Sequence, residues 1–407
     1  MNRQRQLAPL MIALFAFTLF ASTLLAAEPD KKLDKKAWLE NWRKQNPQWR
    51  ALHMGRPRPD SLPKFQQLIA ESLAPAGINV LILEVDYQFQ FQSHRELNGE
   101  GGMTKEQARE LAETCHKNGI RLIPLLNCLG HQSARGGPSA LLSMYPEFDE
   151  TPRIPVSSKT IYCREWCPSN PDVNKIVFDL FDELIDAFDA DALHVGMDEV
   201  FLIGANNCPR CEGKKVADLF AGVVNQLHQH LVKEKGVEML MWGDRFLKSP
   251  EYGSKWAASL TGSHPAIDMV PKDIIICDWH YPLQDDYPSV RLFQEKGFRV
   301  LPATYQFRDA AVAFIRSSHR DATDRMLGFL FTCWSGGGER LLEELKGQGS
   351  DPSDILDTKP ESSKRVTPRQ LANTIRAGLK ELANPSEAPK PIPTEKKPPK
   401  QPTVDGI

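Results

Sequence analysis

Between residues 51 and 332, short β-type apolar runs alternate with helical patterns, and this alternation constrains the fold more than any other feature. The runs are Ala51–Met54, Val80–Val85, Leu122–Leu126, Ala192–Val195, Glu238–Trp242, Ile274–Trp279, Arg299–Ala303 and Leu327–Thr332. The helices between them are well marked. Thr104 and Gln107 form a capping box for a helix that ends before Gly119. Pro171 sits in the first turn of another, which spaces Val173, Ile176, Val177, Leu180, Leu184 and Phe188 on one face. Thr367, Pro368 and Gln370 repeat the capping pattern near the end. Eight strands, nearly all followed by a helix, predict an α/β fold of the (β/α)8 barrel type over residues 49–384. A doubly wound sheet is the alternative, but no glycine-rich phosphate loop follows the first strand.

The two ends differ from this pattern. Arg3 and Arg5 precede an apolar run from Leu7 to Leu25, followed by Ala26 and Ala27. That order predicts a signal peptide over residues 1–27 and an exported protein, periplasmic or secreted. The run is also long enough to serve as an uncleaved anchor, and no other segment could span a bilayer. Residues 28–48 are charged and Trp-bearing, and predict a helical lead-in. Residues 385–407 are dense in Pro and Lys with almost no large apolar side chains, so a disordered tail is expected there. A net charge of -2 over 407 residues argues against nucleic acid as a partner.

In a barrel of this kind the active site lies at the C-terminal ends of the strands. Arg56 and Arg58 follow the first, Glu84 and Asp86 the second, and His131 the third. Asp198 and Glu199 end the fourth, Trp242 and Asp244 the fifth. The sixth gives Asp278, Trp279, His280 and Tyr281, and the last Trp334. Singly, each has a plain structural reading as a cap, a packed indole or a core histidine. Together, carboxylates and flat aromatic faces on one rim suit a sugar: acids move protons, indoles stack on the C–H face of the ring. No pair of His residues has ligand spacing and the acids are not grouped as in a calcium loop, so no metal or cofactor is expected at this site.

Asp198 and Glu199 are adjacent, and successive strand side chains point to opposite faces, so both reach the site only at a bend. A conventional retaining pair flanks the sugar with carboxylates about 5–5.5 Å apart. Neighbours are badly placed for that, but they can serve one side of a substrate together. Cys163, Cys167, Cys208 and Cys211 form two close pairs beside this strand, open to two readings: disulfides or free thiols, or a four-thiolate zinc site. Cys115, Cys128, Cys277 and Cys333 fall in apolar stretches and read as core.

The segment "HVGMDEV" resembles the H-x-G-x-D-E strand of family 20 glycoside hydrolases, the β-N-acetylhexosaminidases. "GINVLILEVDYQF", "RLIPLLNCLGHQS", "CPSNPDV" and "DEVFLIG…CPRC" are similar to the branch that includes hexosaminidase D, and the resemblance spans roughly residues 48 to 340. It implies retention assisted by the substrate's own 2-acetamido group, with no enzyme nucleophile. By position it implies Glu199 as general acid/base and Asp198 as the carboxylate that orients the acetamido N–H. Tyr281 matches the hydroxyl on the acetamido oxygen, and His131 with Asp86 a charge-tuning pair. Trp242, Trp279 and Trp334 match pocket walls, Asp244 a substrate-binding acid, and Arg58, or else Arg56, the arginine on the outer hydroxyls. The implied partner is an N-acetylhexosamine-containing oligosaccharide or glycoconjugate.

The chain departs from the family pattern at three places. An Asp near Gly55 is missing, Gly336 stands where an acid often follows the last Trp, and Leu125–Asn127 replaces an acidic triplet. Glu339 or a loop is the expected substitute for the second of these. The competing readings are a conventional glycosidase pairing Glu199 with Glu84, Asp244 or Asp278, and a sugar-binding barrel without catalysis.

Overall fold

The computed structural model describes residues 35–134, 137–158, 160–205, 207–334, 338–347 and 366–386. The expected signal peptide, Gly336 and the tail beyond residue 386 lie outside them. The chain divides into two compact units, Met1–Gln45 and Asn46–Ile407. The described part of the first is the helix Lys35–Gln45, in which Trp38 and Trp42, four residues apart, stack at 6.3 Å.

The second unit is a closed barrel of eight parallel strands. They are β1 (Trp49–Gly55), β2 (Val80–Glu84), β3 (Arg121–Cys128), β4 (Ala192–Gly196), β5 (Glu238–Trp242), β6 (Ile275–Trp279), β7 (Arg299–Thr304) and β8 (Gly328–Cys333). All eight coincide with the apolar runs read from the sequence. The barrel closes where β1 pairs with β8, from Trp49 opposite Gly328 to Met54 opposite Cys333. Covered on both faces, the strands need continuous apolar character rather than alternation, and β4 and β6 are buried at every position. The helices Lys105–Lys117 and Pro368–Ala383 carry the predicted capping boxes on Thr104/Gln107 and Thr367/Gln370. The helix Asp172–Ala187 buries the predicted face, with Phe181 added to it. After β5 there is no α-helix before β6 but two 3₁₀ turns, Asp244–Phe246 and His264–Asp268. Buried Arg245 organises this stretch by donating to the carbonyls of Lys255, Trp256 and Ala258.

The two rims carry different chemistry. At the strand beginnings, Arg121 Nη2 lies 2.6 Å from Asp191 and 2.7 Å from Glu238, and Arg299 Nη1 lies 2.6 Å from Glu238. Burial alone would raise the Glu238 pKa, but Arg121 and Arg299 outweigh it and hold it at about 2. A buried network of paired charges of this kind is structural. The acids at the opposite rim are not so neutralised. Among the described residues, no helix is long and apolar enough to cross a membrane.

Candidate active site

The rim at the strand ends is built on unusual backbone. Asp86, Leu129, His131, Met197 and Glu199 all take positive φ (47°, 62°, 55°, 73° and 51°). Each such non-glycine residue costs about 1–3 kcal/mol and persists only where the surroundings over-determine it. Gly196, at φ 66°, starts the turn out of β4; a Cβ there would lie 2.5 Å from Asn127 Oδ1. Gly130 is required for another reason: its Cβ would lie 2.6 Å from the Asp198 carbonyl oxygen. The turn through Met197 and Glu199 breaks the strand alternation, and the two adjacent carboxylates come to face one imidazole. That is the bend which the adjacent acids demanded.

His131 Nε2 lies 3.2 Å from Asp198 Oδ2 and 3.4 Å from Glu199 Oε2. Burial would lower the His131 pKa, but Asp198, by charge and hydrogen bond, and then Glu199 overcome it and carry it up to about 10. The ring is therefore an imidazolium at neutral pH. Its effect on the two acids differs. Burial pushes Asp198 up, yet the charge and hydrogen bond of His131 more than offset this, and Asp198 titrates below the usual aspartate range. Glu199 is raised to about 7, first by burial and then by the neighbouring Asp198 charge. One acid is held ionised and the other is held protonated to near neutrality, which is how two carboxylates divide acid and electrostatic roles.

The remaining oxygens are also placed. Asp198 Oδ1 is buried with no hydrogen-bond partner among the described residues, an acceptor left open. The Glu199 backbone N–H donates to Asp244 Oδ2 at 3.0 Å, and Arg245 Nε donates to the same oxygen at 2.6 Å. Asp244 thus sits buried behind Glu199 and fixes its backbone; its Oδ1 is buried without a hydrogen-bond partner among the described residues. Asp86 accepts from the Asn127 backbone at 2.8 Å and side chain at 3.1 Å. Burial and then the Glu84 charge raise its pKa to about 7. Asn127 Nδ2 reaches Glu84 too, at 3.2 Å, and Glu84 lies 3.4 Å from His53 Nε2. Asp86 acts on His131 through its field, since the described side-chain hydrogen bond of His131 goes to Asp198 instead.

Aromatic rings form the walls. Trp242 packs 5.7 Å from Trp334, 4.6 Å from His194 and 5.8 Å from His53. Trp334 is 40% exposed, and its indole N–H donates to the Tyr281 hydroxyl at 2.8 Å. Tyr281 in turn lies 5.0 Å from Trp279. The indole N–H groups of Trp242 and Trp279 are buried without partners among the described residues. Burial raises the Tyr281 pKa well above its ordinary value, so the hydroxyl stays a neutral hydrogen-bonding group.

Other sequence-predicted residues lie apart from this cluster. Arg58 is exposed, with 80% of its side chain in solvent, and pairs with Asp60 at 3.2 Å. Arg56 is held by Gln88 Oε1 and the Pro57 carbonyl. Asp278 is buried against Ser289 (2.6 Å) and His280 (3.2 Å). Glu339 stands in the first turn of the helix Gly338–Lys346. Cys163 separates from the other three cysteines, and its Sγ contacts the Glu199 carbonyl at 3.7 Å.

Residues 83–310 match the glycosyl hydrolase family 20 catalytic domain. The chain belongs to glycosyl hydrolase family 20. A beta-hexosaminidase of Akkermansia muciniphila is 33% identical over 115 residues, 28% of this chain and 22% of that protein. Among solved structures, the Flavobacterium johnsoniae chitobiase superposes with a TM-score of 0.55 at 18% identity, over 81% of this chain and 48% of that one. The exo beta-N-acetylglucosaminidase of Vibrio harveyi, crystallised with N-acetylglucosamine, gives 0.52 at 16% identity, over 82% and 58%. At such identities the structural likeness is one of fold. The chain spans about a fifth of the curated relative and about half of these structures.

Within the family 20 barrel, the strand-end reading missed residues that come from loops or from below the rim. Tyr162, 59% exposed, lies 6.2 Å from His131 and 5.1 Å from Trp256, itself 38% exposed, while Phe201 lies 5.5 Å from Trp256. A hydrogen bond from Tyr162 partly opposes the rise in the Glu199 pKa. These three aromatics edge the mouth of the site. Tyr162 and Trp256 stand in loops without a periodic signal, which hid them. His53 and His194 point inward from β1 and β4, and burial drives the His194 pKa down to about 3, so it is a neutral ring under Trp242.

Proposed function

We propose that this chain is an exo-acting β-N-acetylhexosaminidase that releases terminal β-linked N-acetylglucosamine or N-acetylgalactosamine with retention, assisted by the substrate. The opposite pKa shifts of the adjacent acids around one imidazolium carry this reading. The substrate's acetamido oxygen attacks C1 while Glu199 gives its proton to the leaving oxygen, and the C1–O bond breaks. Asp198, ionised and with Oδ1 open, accepts the acetamido N–H and stabilises the positive charge of the cyclic intermediate. Tyr281 donates to the acetamido oxygen, with Trp242, Trp279 and Trp334 around it. Glu199, now a carboxylate, takes a proton from water, which opens the ring at C1. Both adjacent acids lie on the same imidazole, so neither flanks the sugar as a separate nucleophile would.

The apolar run Leu7–Leu25 supports export as part of the same proposal. Assay on paired aryl glycosides tests the activity. Turnover of the N-acetyl-β-glucosaminide or galactosaminide, with inhibition by a thiazoline mimic of the cyclic intermediate, is the expected result. Equal rates on the plain glucoside would overturn substrate assistance.

A further inference from the structure

We propose a structural zinc site of three thiolates and one carboxylate, made by Cys167, Cys208, Cys211 and Glu150, behind the loop that carries the acid pair. Their ligand atoms all lie within 4.8 Å of one another, and all four residues are buried. Cys167 Sγ is 3.3 Å from Cys208 Sγ and 3.6 Å from Cys211 Sγ. Ligands about 2.3 Å from a tetrahedral zinc ion stand about 3.8 Å apart, so the sulfurs already approximate the edges of that tetrahedron. Cys208 and Cys211 are spaced C-x2-C on one tight turn, with the N–H groups of Cys211 and Glu212 both donating to the Cys208 carbonyl at 3.1 Å.

Two observations set this apart from a local disulfide. One sulfur, Cys167, sits almost equally close to two others, and a disulfide would use only two of the three. Glu150 supplies the second: Oε1 accepts from Gly204 N–H at 3.1 Å, while Oε2 is buried with no hydrogen-bond partner among the described residues. A buried carboxylate that faces thiols, with three sulfurs drawn together beside it, has the donor chemistry of a soft divalent cation site. The fourth ligand is therefore Glu150 rather than the Cys163 that sequence spacing suggests.

The ion would join two loops. Glu150 and Cys167 stand on the segment after β3, and Gly204, Cys208 and Cys211 on the one after β4. The same pair of segments meets again where Glu165 accepts from the backbone N–H groups of Phe201 and Leu202. Glu199 stands two residues before the second tie, Phe201 is part of it and Tyr162 precedes Glu165 by three residues, so the metal would stiffen the loop from which the acid works. Binding displaces the thiol protons to solvent and leaves zinc on three thiolates and a carboxylate.

Metal analysis of the full-length protein purified without chelator tests this directly. The expected result is about one zinc per chain, retained in Cys163→Ser and lost in Cys208→Ser. Stripping the wild type with a chelator should lower Tm, and cobalt(II) should restore it with the intense thiolate charge-transfer absorption of a sulfur-bound ion. The cobalt arm uses wild-type chain and holds even if a cysteine variant does not fold. Wild type without metal and without cobalt absorption, a Cys167–Cys208 or Cys208–Cys211 disulfide in non-reduced peptide mass spectra, or loss of metal in a folded Cys163→Ser would each overturn the proposal.

Discussion

His131→Gln removes the imidazolium but leaves a side chain that still donates a hydrogen bond to Asp198. The ring nitrogen lies 3.2 Å and 3.4 Å from the two carboxylates. A unit charge at that distance is worth about 1 kcal/mol in a water-like dielectric and about 5 kcal/mol at an effective value of ~20, hence roughly 1 to 3.5 pKa units. The ring is about a quarter exposed, which places the effect toward the lower half of that range, about 1–2 units. The charge favours the ionised form of both acids, so its loss raises both pKa values. Glu199 should move from about 7 to about 8–9, and Asp198 should rise from below its ordinary range. The acid-limb and alkaline-limb midpoints of the kcat/KM profile should then both shift upward, on an aryl N-acetylglucosaminide at fixed ionic strength. The wild type should work from below the usual aspartate range up to about pH 7 and fall as Glu199 loses its proton. A variant whose two limbs stay in place while kcat falls uniformly would refute the role given to the imidazolium charge. A downward shift would reverse its sign.

Three further outcomes follow from the same geometry. Asp86 is also raised to about 7, so Asp86→Asn tests whether it sets the alkaline limb: the limb should persist in that variant and vanish in Glu199→Gln measured on a nitrophenyl glycoside. Glu199→Gln should slow cleavage of oligosaccharides by ~10²–10⁴ while sparing the first step for good leaving groups, whereas Asp198→Asn should lower kcat on good and poor leaving groups alike. A near-normal kcat in Asp198→Asn would leave Asp198 as a mere cap. At the opposite rim the Glu238 pKa is depressed to about 2, so its contribution, about 3 kcal/mol, is fully present above the unfolded value and is lost as pH falls through about 2. Urea titrations of Glu238→Gln against wild type should differ at pH 7 and converge in acid; a constant difference would show that the ionised carboxylate is not the source.

The barrel was legible because its strands are buried on both faces and bounded by strong helix signals. Val80–Glu84 and Ile275–Trp279 read the same in sequence and in structure to within one residue. The one place without the expected helix, after Trp242, lacks it because Arg245 gathers carbonyls from residues ten to thirteen positions later. That pairing has no local periodic sign. The arginine in "MWGDRF" and the run "KWAA" carry no local sign that they meet.

Of the candidate site, the acid pair, His131 and the indoles were legible as a list, the mouth aromatics were not, and none was legible as an arrangement. Adjacent carboxylates at the end of an apolar run showed that a bend was needed, yet neither Met197 nor Glu199 is a residue type that announces positive φ. The bend is fixed from outside β4, by Gly130 passing against the Asp198 carbonyl and by Asp244 holding the Glu199 N–H. The cysteines behaved in the same way. Spacing alone set Cys163 beside Cys167, whereas the loop after β3 carries Cys163 to the Glu199 carbonyl and delivers Glu150 to the sulfurs. In both cases the residue that matters most to the chemistry is chosen by which loops meet above the barrel. A local window therefore reveals that the chain has acids and thiols to spend near β4, while their partners follow only from the closed ring of strands.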